Sequence, residues 1–194
     1  MIVVGVGCGP GMLTVEAIAH LRNASRIFGS RRALEMAGPY IPPHCEVAPI
    51  EDYSRIGELP EDAVVLSTGD PMLSGLGHLG VDVVPGISSM QCAFSRLRLP
   101  LARAVVVDAH GKDESAAREE MLEEVSRGRI PFVLTGPEFD IADLARIMAE
   151  RGIDGTIIVC EDLGYPAEVI SFGDPKHPPH ASSRLFSLIL VKDR

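Results

Sequence analysis

VVLSTGDPMLSGLGHLGVDVVPGISS, residues 64–89, is the stretch that decides the fold of this chain. Its two apolar runs, at 64–66 and 81–84, are typical of buried strands. Gly-Asp-Pro follows the first run at 69–71, and Pro-Gly follows the second at 85–86. Because proline fixes φ and lacks an N–H, while glycine allows positive φ, the chain must leave each strand sharply.

A helix is predicted to start at the end of this stretch. Ser88 is followed three residues later by Gln91, which is the spacing of a capping box at a helix N-terminus. Two strand ends and a helix N-terminus are therefore expected to meet in one place, which in open α/β sheets is where ligands bind. Asp70 lies at the rim of this place. It can form an Asx turn before Pro71 or present its carboxylate to a ligand.

The composition limits the classes of function. The chain has 194 residues, 46% of them hydrophobic, and a formal net charge of −9. We expect no nucleic-acid partner and no membrane partner, because the chain is acidic and no apolar run approaches the roughly 18 residues of a membrane span. An anionic substrate would need a local group of basic residues. The candidates for this group are Arg31, Arg32, Arg96, Arg98, Arg103 and Lys112.

The cysteines and residues 1–5 indicate the cellular compartment of the protein. The four cysteines form no CxxC pair, which indicates reduced thiols and a cytoplasmic protein. Residues 1–5, MIVVG, lack a basic n-region and predict a strand and not a signal peptide. No protein-bound metal is expected. Two rigid prolines separate His177 from His180, and no cysteine or carboxylate stands at metal-ligand spacing from them.

The first half has the rhythm of an α/β fold. Further strands are predicted at 2–6, 26–29 and 45–49, and helices at 13–21, 31–36 and 89–97. In the first helix, Thr14 shares one face with Ala17, Ile18 and Leu21. Strands that alternate with helices predict a mostly parallel sheet.

The rhythm breaks at residues 97–101, where we expect a boundary between two domains, 1–100 and 101–194. Strands are predicted at 104–108 and 130–134, with helices at 115–127 and from Asp140 to Arg151. Three strands then follow without an intervening helix, at 156–160, 168–172 and 185–191. The second domain is therefore predicted to have a mixed sheet with an antiparallel end.

The glycine-rich loop after the first strand leaves alternatives open. Gly5 and Gly7 fit a dinucleotide-binding fingerprint, but Pro10 stands where the third glycine should be. The next strand also ends without the acidic residue that would hold a ribose, so NAD or FAD is disfavoured. A tight strand-to-helix turn without a ligand remains an alternative. The loop is not followed by a Walker lysine, which disfavours phosphoryl transfer.

Four motifs, taken in order, resemble those of the tetrapyrrole (corrin and porphyrin) methylase family. They are Gly5-x-Gly7-x-Gly9-Pro10-Gly11, Gly69-Asp70-Pro71 with Gly75, Val84-Pro85-Gly86-Ile87-Ser88-Ser89, and Cys160-Glu161-Asp162-Leu163. The resemblance covers essentially the whole chain. Within the family the chain is most similar to the cobalt-precorrin-7 C(5)-methyltransferases, through Gly29-x-x-Arg32-x-Leu34, the run to Gln91, and His110-Gly111-Lys112.

The resemblance implies a fold and an activity. The fold would consist of two α/β domains, a mostly parallel N-terminal sheet and a mixed C-terminal sheet, with the ligand cleft between them. The activity would be transfer of a methyl group from S-adenosylmethionine to ring carbon C(5) of cobalt-precorrin-7, a cobalt-corrin intermediate of cobalamin biosynthesis. A homodimer or a higher homo-oligomer is implied as well. The alternatives are another precorrin or porphyrinogen methylase, diphthine synthase, or a non-enzymatic nucleotide-binding module.

The resemblance also implies the site residues, by position. Those expected to bind the cofactor are Cys8, Asp70, Leu73, Ser88, Ser89, Leu134, Thr135, Cys160, Glu161 and Ser183. Those expected to bind the substrate are Gly9, Pro10, Arg32, His110 and Lys112. The catalytic residue is unknown, and His110 is the candidate for moving a proton. Lys112 stands where the relatives usually have arginine, and it lacks the bidentate fork of that residue.

Overall fold

The computed structural model describes residues 1–79, 82–109 and 114–192. The chain forms two compact units, Met1–Cys92 and Ala93–Arg194. The boundary at residue 100 stays a prediction. Within the described ranges, no helix has both the length and the apolar character that crossing a membrane requires.

Strands and helices alternate in the first unit. Its strands are β1 Ile2–Gly5, β2 Arg26–Gly29, β3 Glu46–Pro49, β4 Val64–Ser67 and β5 Asp82–Val84. Its helices are α1 Val15–Arg22, α2 Arg31–Ala37 and the four-residue α3 Pro71–Ser74. Helix α4, Ser89–Leu97, starts in this unit and runs on into the second. Single 3₁₀ turns lie at Gly38–Tyr40, Tyr53–Glu58 and Leu76–Leu79.

The described strands of the first unit form a parallel sheet in the order β3-β2-β4-β1-β5. Val3 in β1 lies between Val65 of β4 and Val83 of β5. Val3 and Val65 are fully buried, because a parallel sheet is covered on both faces and its central strands are apolar throughout. This confirms the prediction of a mostly parallel N-terminal sheet.

One detail of the predicted first helix was wrong. Helix α1 begins at Val15, and the hydroxyl of Thr14 accepts a hydrogen bond from the Ala17 N–H at 3.0 Å. Thr14 is therefore the N-cap and not a member of the apolar face, because its hydroxyl satisfies a backbone donor that the first helical turn leaves over. Ala17 and Leu21 are buried, as predicted.

The second unit contains a 3₁₀ turn at Leu101–Arg103 and the remaining helices and strands. They are β6 Ala104–Asp108, α5 Glu114–Ser126, β7 Ile130–Leu134, α6 Ile141–Glu150, β8 Thr156–Glu161, β9 Val169–Gly173 and β10 Phe186–Val191. The described strands pair in the order β6-β7-β10-β8-β9, and β6 and β7 are parallel while the other pairs are antiparallel. This confirms the predicted mixed sheet. The last strand lies in the interior of the sheet, between β7 and β8.

Four glycines bring the end of β1 and the loops after β1, β4 and β5 into backbone contact. A side chain on Gly86 would overlap the Gly69 carbonyl oxygen and come within 3.0 Å of the Gly5 Cα. Gly7 and Gly69 exchange two backbone hydrogen bonds, of 3.3 and 2.7 Å, and both have positive φ. The carboxyl edge of the parallel sheet is thus closed by backbone against backbone, which only glycine permits at this distance.

We predict that Gly86→Ala lowers the free energy of unfolding by about 1–3 kcal/mol or more, because the added methyl must displace packed backbone. Denaturant titration measures this loss. Gly57→Ala is the matched control, since nothing lies within 4 Å of its added Cβ. Equal stability of the two variants would show that the glycine contacts are not required.

Candidate active site

In the first unit, the Asp70 carboxylate joins two loops at the carboxyl edge. One oxygen accepts the Met72 N–H at 2.7 Å and caps α3, and the other accepts the Gly86 N–H at 3.1 Å. The first contact is the Asx-type turn that the sequence allows before Pro71. The second ties the loop after β4 to the loop after β5. Asp70 therefore shapes the site, and its contact with a ligand stays a prediction.

The capping box at the start of α4 is confirmed. The Ser88 N–H donates to the Gln91 side-chain oxygen at 2.8 Å, and the Gln91 N–H donates to the Ser88 hydroxyl at 3.1 Å. The first backbone N–H groups of a helix have no partner within the helix, and this box satisfies two such donors. It does not use the N–H groups of Ser89 and Met90. Gly69 adjoins this turn, since its added Cβ would lie 3.9 Å from the Ser88 Cα. Backbone donors thus lie beside the glycine contacts.

Arg32 is held at the same edge by a neutral partner. In the first turn of α2, its guanidinium donates to the Thr68 hydroxyl at 3.2 Å, next to the loop that contains Asp70. No carboxylate lies within ion-pair distance of Arg32 in the described ranges. Its neighbour Arg31 is different, because it pairs with Glu51 at 2.7 Å on the exposed surface. Arg32 therefore keeps a positive charge that an anionic ligand could use.

The other basic candidates differ in their partners. Arg96 pairs with Glu168 at 2.9 Å, and Arg103 donates to the Gly128 carbonyl oxygen at 2.6 Å. Arg98 has positive φ after the end of α4. His110 and Lys112 lie outside the described residues. Arg32 is thus the candidate that the structure brings to the glycine-lined edge of the first unit.

The loop after β1 carries three more of the expected residues. Cys8 is partly buried, Gly9 is buried and Pro10 is exposed. A tight turn, in which the Met12 N–H donates to the Gly9 carbonyl at 3.2 Å, folds this loop back on itself. Leu73 lies in α3, where its N–H donates to the Asp70 carbonyl. All the expected residues of the first unit that the structure describes lie in loops or helix starts that follow its strands.

The second unit gathers four of its five expected cofactor-binding residues around the start of β10. Ser187 of β10 lies opposite Leu134 of β7 on one side and Cys160 of β8 on the other. The Thr135 hydroxyl donates to the Phe186 carbonyl oxygen at 2.6 Å, and Phe186 lies opposite Glu161. Residues far apart in the sequence thus become neighbours through one strand.

Sequence reasoning missed Ser187. Its hydroxyl oxygen is buried and has no hydrogen-bond partner within the described part of the chain. A buried hydroxyl without a partner costs free energy, and a ligand atom or water can relieve this cost. The signal in the sequence is a lone polar residue in an otherwise apolar strand, FSLILV.

Glu161 is a buried carboxylate that holds the segment before β10. One of its oxygens accepts the N–H groups of Ser182 at 2.6 Å and Ser183 at 2.5 Å. The Ser183 hydroxyl in turn donates to Asp162 at 3.1 Å. Because a carboxylate is stabilised strongly by backbone N–H donors, these contacts offset the cost of burying Glu161. The structure thus brings Glu161 and Ser183 together, and their contact with a cofactor stays a prediction.

Cys160 is buried and is not suited to act as a nucleophile. Burial raises the pKa of its thiol to about 12, with a further contribution from the Glu168 charge. The thiol is therefore protonated at neutral pH, and a protonated thiol is a poor nucleophile. Within the described residues, no group of three or more His, Cys, Asp or Glu side chains is arranged to hold a metal ion.

These observations define a two-unit α/β protein with a glycine-lined, donor-rich edge in its parallel half. Comparison with known proteins identifies the class more closely. The profile of the Tetrapyrrole (Corrin/Porphyrin) Methylases matches residues 1–175. The chain belongs to this family, which confirms the resemblance drawn from the four motifs.

Two related sequences and one solved structure show which members of the family this chain is similar to. A protein of Methanocaldococcus jannaschii described as a probable cobalt-precorrin-7 C(5)-methyltransferase is 30% identical over 190 residues, 86% of each chain. A precorrin-6Y C(5,15)-methyltransferase (decarboxylating) of a Sinorhizobium species is 27% identical, over 87% of this chain and 43% of its own length. The crystal structure of a precorrin-6Y methylase from Archaeoglobus fulgidus superimposes with a TM-score of 0.74 at 26% identity, over 100% of this chain and 98% of that one.

We predict that Glu161→Ala releases the segment before β10. Removing the carboxylate leaves the N–H groups of Ser182 and Ser183 without their acceptor, at a cost of about 1–3 kcal/mol. Their amide hydrogens should then exchange faster, while Glu161→Gln, which keeps an acceptor, should show a smaller change.

Glu138→Ala is the matched control for this measurement. Glu138 pairs with Arg184, the residue after Ser183, but both side chains are at least 80% exposed, so the pair adds little stability. Equal exchange rates in Glu161→Ala and Glu138→Ala would contradict the structural role of Glu161.

Proposed function

We propose that this protein is the S-adenosylmethionine-dependent methyltransferase of cobalamin biosynthesis that methylates ring carbon C(5) of cobalt-precorrin-7. The observation that carries the proposal is the match with the M. jannaschii relative along 86% of both chains. Membership of the tetrapyrrole methylase family along residues 1–175 supports the reaction class.

The residues present fit S-adenosylmethionine as the cosubstrate. In the first unit, Gly69 leaves room for close approach, since only the Ser88 Cα would lie within 4 Å of its added Cβ. The N–H groups of Ser89 and Met90 are suited to the carboxylate and ribose oxygens. In the second unit, the Ser187 hydroxyl lacks a partner among the described residues. The proposed binding residues are Cys8, Asp70, Leu73, Ser88 and Ser89 of the first unit and Leu134, Thr135, Cys160, Glu161 and Ser183 of the second.

The chemistry asks little of side chains. The cosubstrate, when bound, supplies a methyl group activated by its sulfonium, and the corrin carbon is an electron-rich, enamine-like nucleophile. The protein then has to align the two and exclude water, and positioning alone can lower a barrier by roughly 7–11 kcal/mol. The rigid glycine-closed edge suits this role. We propose no general base among the described residues. His110, outside them, is the candidate for moving a proton.

Recognition of the corrin needs local positive charge. The substrate carries several carboxylates, whereas the chain has a net charge of −9. Arg32 meets this need, because its guanidinium donates to the Thr68 hydroxyl and no carboxylate of the described residues pairs with it. We propose that Arg32 binds a substrate carboxylate, with Gly9, Pro10, His110 and Lys112 as further substrate contacts.

A second candidate function is methylation at another ring carbon. The Sinorhizobium relative is named for both C(5) and C(15), and this chain spans 43% of its length. One experiment separates the candidates. The protein is incubated with S-adenosylmethionine carrying a ¹³C-methyl group and with a panel of cobalt-containing and cobalt-free corrin precursors.

The products are analysed by mass and by NMR of the new methyl group. A single labelled methyl at C(5) of cobalt-precorrin-7 is the expected result, and a methyl at C(15) would favour the second candidate. Absence of methyl transfer to the whole panel, together with no heat of binding for S-adenosylhomocysteine, would favour a nucleotide-binding module. Methylation of a protein substrate instead would favour diphthine synthase.

The proposal includes a homodimer or higher homo-oligomer in the cytoplasm. Its support is the family membership and the scattered thiols, which suit a reducing compartment. Sedimentation velocity of the purified protein measures the oligomeric state, and a monomer at micromolar concentration would contradict this part of the proposal.

We predict that Arg32→Ala raises the KM for the corrin by about tenfold or more, because a charge-assisted hydrogen bond contributes about 1.5–3 kcal/mol. The affinity for S-adenosylhomocysteine should not change. Arg31→Ala is the matched control, since Arg31 is exposed and already paired with Glu51. Equal effects of the two substitutions on KM would remove Arg32 from the substrate site.

We predict that Ser88→Ala has two effects. Loss of the cap should cost about 0.5–2 kcal/mol of stability, and cofactor binding should weaken as well, because the first turn of α4 loses its fixed orientation. Ser30→Ala is the matched control, since Ser30 caps α2 through the Ala33 N–H at 3.2 Å. Thermal unfolding is followed with and without S-adenosylhomocysteine. A full ligand-induced shift in Ser88→Ala would show that the serine is only a cap.

A further inference from the structure

Three sulfur atoms lie together in the first unit, on two elements that are distant in the sequence. The Cys8 and Cys92 sulfurs are 3.0 Å apart, and the Met12 sulfur lies 3.6 Å from the first and 3.5 Å from the second. Cys8 and Met12 belong to the loop after β1, whereas Cys92 belongs to the first turn of α4. A disulfide bond is about 2.05 Å long, so the two thiols need to approach by only about 1 Å.

The two thiols differ in their access to solvent. Cys8 is partly buried, whereas Cys92 is only 6% exposed. A small oxidant can therefore reach the Cys8 thiol first. The Cys92 sulfur then lies within contact distance of the oxidised Cys8 sulfur. An accessible thiol next to a buried second thiol is the arrangement in which an oxidised cysteine is resolved as a disulfide.

The other two cysteines lack this arrangement. Burial and the neighbouring charge of Glu46 raise the pKa of Cys45, and burial raises the pKa of Cys160 to about 12. Both thiols are therefore held in the protonated, less reactive form. They serve as internal references for a reaction at Cys8 and Cys92.

We propose that Cys8 and Cys92 form a thiol-oxidation site that closes reversibly to a disulfide when the protein meets hydrogen peroxide. The Cys8 sulfur attacks one peroxide oxygen, the O–O bond breaks, and the products are a sulfenic acid on Cys8 and one water. The Cys92 sulfur then attacks the Cys8 sulfur and expels the hydroxyl as a second water. Two thiols lose two electrons and two protons in total, and the peroxide takes up both. A dithiol reductant reverses the reaction by exchange.

The bond would join two parts of the candidate site. Cys8 directly follows Gly7, which is hydrogen-bonded to Gly69. The Cys92 N–H donates to the Ser88 carbonyl at 3.1 Å, in the first turn of the helix that Ser88 caps. Oxidation would therefore fix the loop after β1 against α4. In a reducing compartment such a disulfide is transient, which is typical of a redox-sensing pair.

The test uses the full-length protein without cofactor or substrate, so its outcome does not depend on the proposed function. The reduced protein is treated with equimolar hydrogen peroxide, the remaining thiols are alkylated under denaturing conditions, and proteolytic peptides are identified by mass. We expect loss of two of the four thiols, a cross-linked Cys8–Cys92 peptide, and full recovery of the thiols after reduction.

Three controls make the result specific. The same treatment in urea separates the two thiols, and the Cys8–Cys92 peptide should then form at least about tenfold more slowly, because the proximity is lost. Cys45→Ser should form the bond as the natural chain does, whereas Cys92→Ser should stop at a sulfenic acid on Cys8 that a dimedone probe traps.

The natural chain by itself can overturn the proposal. Retention of all four thiols in the native state, oxidation confined to Cys45 or Cys160, or equal formation of the Cys8–Cys92 peptide in native protein and in urea would each do so. None of these outcomes depends on whether a substituted protein folds.

Discussion

The backbone contact of Gly86 with Gly69 and Gly5 is the constraint on which the carboxyl edge of the first unit depends. A methyl group at Gly86 would separate the loops after β1, β4 and β5. Because these loops meet through main-chain atoms, the capped start of α4 and the Asp70 carboxylate are held in fixed positions relative to the sheet. An enzyme that works by aligning two bound molecules needs such a rigid frame more than it needs a reactive side chain.

Two carboxylates take structural roles, one in each unit. Asp70 bonds to the N–H groups of Met72 and Gly86, and Glu161 bonds to those of Ser182 and Ser183. In each case backbone donors stabilise the negative charge, and no cation among the residues that the structure describes pairs with it. This leaves Arg32, which rests against the Thr68 hydroxyl, as a positive charge at the edge of the first sheet. An acidic protein can thus keep a cation available for an anionic substrate.

The positions of the thiols link the site to the redox state of its surroundings. Cys8 and Cys92 are brought together by the loop after β1 and by α4, the same elements that contain several of the expected cofactor contacts. Cys160 lies in the second unit and is kept protonated by burial. The same residue type therefore has different chemistry in the two places, and the difference comes from access and neighbours.

The sequence by itself determined the strands, most of the helices, the capping box of Ser88 and Gln91 and the family, because these depend on apolar periodicity, cap spacing and motifs within a few residues of each other. The tertiary structure decided the rest. It inserted β10 between β7 and β8, so that Ser187 lies between Leu134 and Cys160. It also brought Arg32 to Thr68 and Cys8 to Cys92. These pairings join positions tens of residues apart, where local preference carries no information and only the packing of whole strands and helices selects the partner.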